Sequence, residues 1–89
     1  MDVEVKLTGT LAARTGTHRA RVGVTEDATV ADVIEALAEE FGPHVRAGVL
    51  EGSRLRTDTV VVRESPDGGP LTAGSQVHDG DTVCFHLAN

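Results

Sequence analysis

One stretch, "TVADVIEALAEEF" (Thr29 to Phe41), changes period relative to everything around it and limits what the chain can fold into. Val30, Val33, Ile34, Leu37 and Phe41 fall at i, i+3, i+4, i+7 and i+11, which makes one apolar stripe on a helix. Thr29 stands where an N-cap belongs. Asp32, three positions on, completes a Thr-x-x-Asp pattern close to a capping box and puts negative charge at the helix N-terminus. Gly42-Pro43 then stops the helix, because proline has no N–H to continue the ladder. A lone helix with one stripe needs an apolar surface to lie on, and the flanking segments supply it.

Those segments alternate with period two. "VEVKL" sets Val3, Val5 and Leu7 against Glu4 and Lys6, and "HRARVGV" sets Ala20, Val22 and Val24 against Arg19, Arg21 and Gly23. Each reads as a strand with one wet face. The short polar connection between them, with Gly9 and Gly16 as breakers, makes the pair a hairpin. After the helix, "HVRAGVLEGSRLRTD" reads as irregular, with Val45, Val49 and Leu50 available to cover one end of a core. "TVVVRE" (Thr59 to Glu64) is short and β-branched, which predicts a buried strand. "SPDGGP" is a turn cluster, and the segment from Leu71 offers a short strand or turn. Asp79-Gly80-Asp81 is a tight turn leading into Thr82 to Leu87, where Val83, Phe85 and Leu87 alternate with Cys84 and His86. The order β-β-α-β-(β)-β predicts an α+β roll with the helix packed across one face of a sheet.

Composition bounds the function. The 89 residues make one domain, 1–89, with room for a single core. Fourteen acidic against eight basic residues give a formal charge of −6, and with no Trp or Tyr and two Phe the chain is poorly suited to phosphate backbones or base stacking. No nucleic-acid partner is expected. Cys84 is the only cysteine, which rules out an intrachain disulfide and a cysteine zinc site. No apolar run approaches the roughly 20 residues of a membrane helix, and "MDVEVKLTG" lacks a signal-peptide pattern. The expectation is a soluble cytoplasmic protein, monomeric when alone, with no membrane partner.

The candidates for chemistry are sparse. His18, His44, His78 and His86 are scattered without ligand spacing and read as ordinary surface histidines, so no metal is expected. Cys84 falls out of phase with Val83 and Phe85, on the sheet face away from the helix, with His86 two residues along the same face and within reach of it. No pocket or oxyanion donor accompanies them, so no catalytic residue is assigned and no cofactor is implied. Lys6, Arg19, Arg21, Cys84 and His86 share that open face, a candidate surface for a partner, although a plain wet face has the same pattern.

Three stretches carry a resemblance. "LAARTG" (Leu11 to Gly16), "EDATVADVIEALAEEFG" (Glu26 to Gly42) and "VHDGDTVCF" (Val77 to Phe85) follow in order and spacing the pattern of the MoaD and ThiS sulfur carriers and the small archaeal modifier proteins related to them. The resemblance spans about Val3 to Phe85. It implies the β-grasp, or ubiquitin-like, fold: ββαββ, a mixed sheet, and one helix across one face. It also implies a carrier rather than an enzyme, activated at its C-terminus by an E1-like adenylating enzyme. The carrier would act in molybdopterin synthesis (molybdenum cofactor biosynthesis), tRNA thiolation or protein conjugation, and the large subunit of molybdopterin synthase is the other partner implied.

In such proteins the last strand leads to an extended tail, commonly Pro-Pro-Val-x-Gly-Gly, because only glycine lets backbone thread a narrow channel. Here the tail reads Leu87-Ala88-Asn89 without a terminal Gly-Gly, and internal Gly68-Gly69 lies in a loop ahead of the final strand. Two expectations follow. Either the chain is a carrier of this type, or it is a non-conjugating β-grasp module that binds a protein partner.

Overall fold

The helix begins where its cap predicts. In a computed structural model of the chain, described for residues 1–9, 12–13, 16–51, 54–56, 59–64 and 68–87, α1 spans Val30–Phe41. Asp32 Oδ2 accepts the Thr29 backbone N–H at 2.9 Å, so the carboxylate satisfies a donor at the helix entrance and sits at its positive end. Val30, Val33, Ile34 and Leu37 are fully buried, with Ala38 beside them, while Phe41 is half-buried at the stripe's end. Gly42 ends the helix at φ +111°, a backbone region that glycine enters without a Cβ penalty.

Against this stripe lies a five-stranded mixed sheet of order β2-β1-β7-β5-β6. Its strands are β1 (Asp2–Leu7), β2 (Arg19–Gly23), β5 (Thr59–Arg63), β6 (Pro70–Leu71) and β7 (Thr82–Leu87). β1 and β2 form the expected antiparallel hairpin, with Val3 opposite Val22 and Val5 opposite Ala20. β7 runs parallel to β1, with Val5 opposite Val83 and Leu7 opposite Phe85, and antiparallel to β5, with Val61 opposite Phe85. The period-two pattern fixes which side chains face the helix. Val3, Val5, Val83 and Phe85 are all fully buried in one cluster with Val33, Ile34 and Leu37. Gly80, at φ +84°, makes the turn into β7 as the Asp-Gly-Asp sequence requires.

Three local expectations need correction. The segment after α1 is not irregular: α2 spans His44–Val49, and a small antiparallel ribbon follows, β3 (Leu50–Glu51) with β4 (Arg54–Leu55). The roll therefore carries a second helix beside α1. Val45 and Val49, four apart, are fully buried and cap the core's end, and Arg46 on the outer side donates to both Glu35 oxygens at 2.6 and 2.5 Å. Glu35's carboxyl is held below its ordinary range, chiefly by those hydrogen bonds. A six-residue helix with one i, i+4 pair is too short for its period to register in sequence.

Nor is the strand from Thr59 fully buried. Val61 is inside but Val60 is 42% exposed, because β5 has one open face like its neighbours. The connection before β2 is not wholly polar either, since Ala12 joins the core. Leu11, Arg14 and Thr15 of the same connection lie outside the described residues, as do Ala88 and Asn89 of the tail.

Candidate functional site

The sheet's second face, away from α1, collects every partner-face residue singled out in the sequence. Strand register orders them in a row: Arg19 opposite Lys6, Lys6 opposite Cys84, Cys84 opposite Val62, and Val62 opposite Pro70. Residues two apart on each strand add Arg21, Glu4, Thr82, His86 and Val60 to the same face.

A hydrogen-bonded cluster occupies the centre. Lys6 Nζ reaches Glu64 Oε2 at 2.7 Å and Oε1 at 2.9 Å, and the Cys84 thiol donates to Glu64 Oε2 at 3.3 Å. Glu64 continues past β5, and its backbone N–H donates to Thr82 O at 2.9 Å, which pins the carboxylate over β7. Glu64's carboxyl is held below its ordinary range, first by the hydrogen bond from Lys6 and then by that from Cys84. Cys84 shifts the other way: burial comes first, and the bond to Glu64 adds to it, so the thiol rises above its usual range. The side chain belongs to the open face yet is only 8% exposed. A buried protonated thiol beside a carboxylate is a poor nucleophile.

His86 does not engage Cys84, contrary to the contact the spacing suggested. Its Nδ1 lies 3.1 Å from Thr8 Oγ1, and Thr8 in turn donates to Phe85 O at 3.1 Å. The hydroxyl has one proton, so both contacts are satisfied together when the ring carries its proton on Nδ1. At the β2 edge, Arg19 and Arg21 are exposed, and Glu4 lies between them at 3.9 and 4.0 Å. Such long exposed pairs hold the guanidinium groups loosely. The face is thus basic at one edge, neutralised at its centre, and apolar beyond, where Val60 stands opposite His86. Among the described residues no group of three or more His, Cys, Asp or Glu could hold a metal ion.

Sequence reasoning missed Glu64, Val60 and Thr8. Glu64 and Val60 had a signal, since period two through "TVVVRE" puts Val60, Val62 and Glu64 on one side, but a run of β-branched residues conceals its own alternation. Thr8 gave none. β7 is central and parallel to β1, so the backbone leaves the sheet at Leu87, at the end where β1 also ends; Ala88 and Asn89 are outside the described residues.

No protein-family model and no curated protein matches the chain by sequence. Solved structures do match by shape. Small archaeal modifier protein 1 of Haloferax volcanii superposes with a TM-score of 0.84 and 27% identity, over 99% of this chain and 98% of that one. The chain resembles the ubiquitin-like sulfur carriers. The β-grasp fold recurs, as fold alone, in two more distant structures. One is molybdopterin converting factor subunit 1 of Pyrococcus furiosus, with a TM-score of 0.76 and 19% identity over 100% of this chain and 99% of that one. The other is the BexX/CysO complex of Amycolatopsis orientalis, with a TM-score of 0.78 and 22% identity over 98% and 96%. The mixed sheet with parallel β1 and β7 and α1 across one face is that ubiquitin-like arrangement.

Proposed function

We propose that this β-grasp chain is a carrier of the MoaD and small-archaeal-modifier type, a substrate for enzymes rather than an enzyme. An E1-like adenylating enzyme, or the large subunit of molybdopterin synthase, grips its open sheet face and acts on the carboxylate at the end of the tail that follows β7. The observation that carries this reading is the end-to-end agreement with the Haloferax modifier, extending through β7. The face supports it in kind: loosely held Arg19 and Arg21 at one edge, a fixed Lys6–Glu64–Cys84 centre, and exposed Val60 offer charge, order and apolar area together. Work of this kind belongs in the cytoplasm.

Intact-mass measurement of the chain isolated from its native cells tests the proposal. A C-terminal thiocarboxylate, or an isopeptide link to a lysine of another protein, supports it. An unmodified chain, in cells where the activating enzyme is present, overturns it.

A second reading is favoured by one observation: Leu87-Ala88-Asn89 stands where the resemblance implies Pro-Pro-Val. In that reading the chain is a non-conjugating module that binds its partner through the sheet. Removing Ala88 and Asn89 would then leave partner capture in a pull-down intact, and abolished capture would count against it.

A further inference from the structure

β2 is an edge strand, and its ladder shows which backbone groups it leaves free. Met1 and Val24 exchange both backbone hydrogen bonds at 2.9 Å, and Leu7 N–H donates to His18 O at 2.9 Å. Hydrogen-bonded pairs recur every second residue in an antiparallel ladder, so Val22 and Ala20 face β1 while Arg19, Arg21 and Gly23 turn their N–H and C=O outward. At the first of these the Thr17 hydroxyl takes over: it donates to Arg19 O at 2.6 Å and accepts the Arg19 N–H at 3.3 Å. Arg21 and Gly23 have no such cover among the described residues. The open part of the edge is therefore short and begins at Arg21.

A groove runs along this part, between β2 and α1. It consists of two adjoining depressions of about 290 and 220 Å³ that share Gly23, Ala36 and Glu39. The floor is mixed: half-buried Val24 and Ala36 give it apolar area toward Val24, while the part beside Arg21 is mostly polar. The helix rim is acidic, with Glu39 and Glu40 exposed and in no ion pair among the described residues. Glu35, farther along the groove, is already taken by Arg46.

We infer that this groove binds an extended, basic segment of a partner protein, which adds to the sheet as a sixth strand beside β2. Backbone pairing to Arg21 and Gly23 would supply the register, and alternate side chains would supply selectivity. Those turned toward α1 meet the Val24–Ala36 floor and then Glu39 and Glu40, so small apolar and Lys or Arg residues fit. Those turned to the open face lie beside Arg21 and favour acidic or hydroxyl side chains.

A second copy of this chain fits poorly. Antiparallel pairing of two β2 edges would set the Arg19 and Arg21 side chains of both copies together on one face and two acidic helix rims together on the other. The groove also lies at the Gly23 end of β2, which pairs with Asp2, whereas β7 runs past Leu7 to Leu87, so a segment held there leaves the Leu87 end of β7 clear. The inference thus stands apart from the carrier proposal and survives or fails without it.

The probe is the synthetic peptide acetyl-Val-Thr-Lys-Glu-Val-Thr-Lys-amide, with its valines and lysines on the groove side. Titrated into the full chain, it is expected to bind with a dissociation constant of about 1 mM or tighter, and to slow hydrogen exchange at the Arg21 and Gly23 amides. The variant Glu39→Lys/Glu40→Lys, changed only at exposed helix positions, is expected to bind at least about tenfold more weakly, as is the wild type in high salt. The same peptide N-methylated at the amides that would face β2 should not bind. Absence of binding at about 1 mM, equal binding of the N-methylated peptide, or protection confined to β6 or the open face would overturn the proposal. So would protection of Arg21 and Gly23 by self-association without peptide, which would assign the edge to a second copy.

Discussion

The Cys84 thiol and the Glu64 carboxylate meet at 3.3 Å on the open sheet face, at the same oxygen, Oε2, that Lys6 Nζ approaches at 2.7 Å. Burial and the neighbouring anion both oppose ionisation of the thiol. Alkylation of Cys84 by iodoacetamide at about pH 8.5, where a free cysteine is half ionised, is expected to be at least about tenfold slower than in the urea-unfolded chain. Glu64→Gln removes the anion and should speed the reaction while leaving it slower than in the unfolded chain. Intact-mass time courses read both. Equal rates in the folded and unfolded chains would mean that Cys84 is open and ionised, and a nucleophilic role would then return.

The same carboxylate makes stability depend on acid. Glu64 has a lower pKa folded than unfolded, so its pairing with Lys6 stabilises the chain above the ordinary glutamate range, near 4.5, and is lost as pH falls through the lower folded value. Urea midpoints of wild type and Glu64→Gln should therefore differ slightly near neutrality, wild type higher, and draw together as the pH falls below the ordinary glutamate range. Both residues are partly solvated, so added salt should shrink the neutral gap too. A gap that persists in acid would point to packing rather than charge.

Helix entry is the next weak point. Asp32→Ala removes the acceptor of the Thr29 N–H and the negative charge at the N-terminus of α1. The expected loss is about 0.5–2 kcal/mol in urea denaturation. Asp32→Asn, which keeps an oxygen acceptor without the charge, should recover part of it.

Phe85 joins sheet and helix, being fully buried in the cluster that holds Val33, Ile34 and Leu37. Phe85→Ala should cost about 3–5 kcal/mol, a large share of the stability of a domain this size. Val60→Thr, on the open face of the next strand, should cost well under about 1 kcal/mol. Matching midpoints for Phe85→Ala and wild type would mean that β7 does not lie under α1.

What the sequence disclosed follows from how long each pattern runs. Twelve residues of α1 and six each of β1 and β7 repeat their period often enough to reveal both element and face. The α2 helix, with six residues, and two-residue strands such as β3 and β6 do not, and tertiary contacts decide them. The open face was legible as a set of positions, because period two fixes sides. Its connections were not: Lys6 and Glu64 are 58 residues apart, and no local pattern links them. Spacing even misled at Cys84 and His86, where nearness along one strand lost to cross-strand partners, Glu64 for one and Thr8 for the other.

The carrier proposal makes its sharpest demand on that face. Val60, Arg19 and Arg21 are exposed and contribute little to the core, so Val60→Asp and Arg19→Glu/Arg21→Glu should fold with midpoints within about 0.5 kcal/mol of wild type. Val60→Asp should weaken capture of an E1-like enzyme by putting an unpaired charge into a desolvated contact, an effect on dissociation. The arginine reversal should act chiefly on association, and its effect should fade in high salt. Surface plasmon resonance with the immobilised enzyme separates the two rates. If both variants bind as wild type does, the partner grips another surface; if they unfold, the face is structural. If Val60→Asp alone fails, apolar contact rather than charge selects the partner, and the loosely held arginines serve only to keep the β2 edge apart from its own copies.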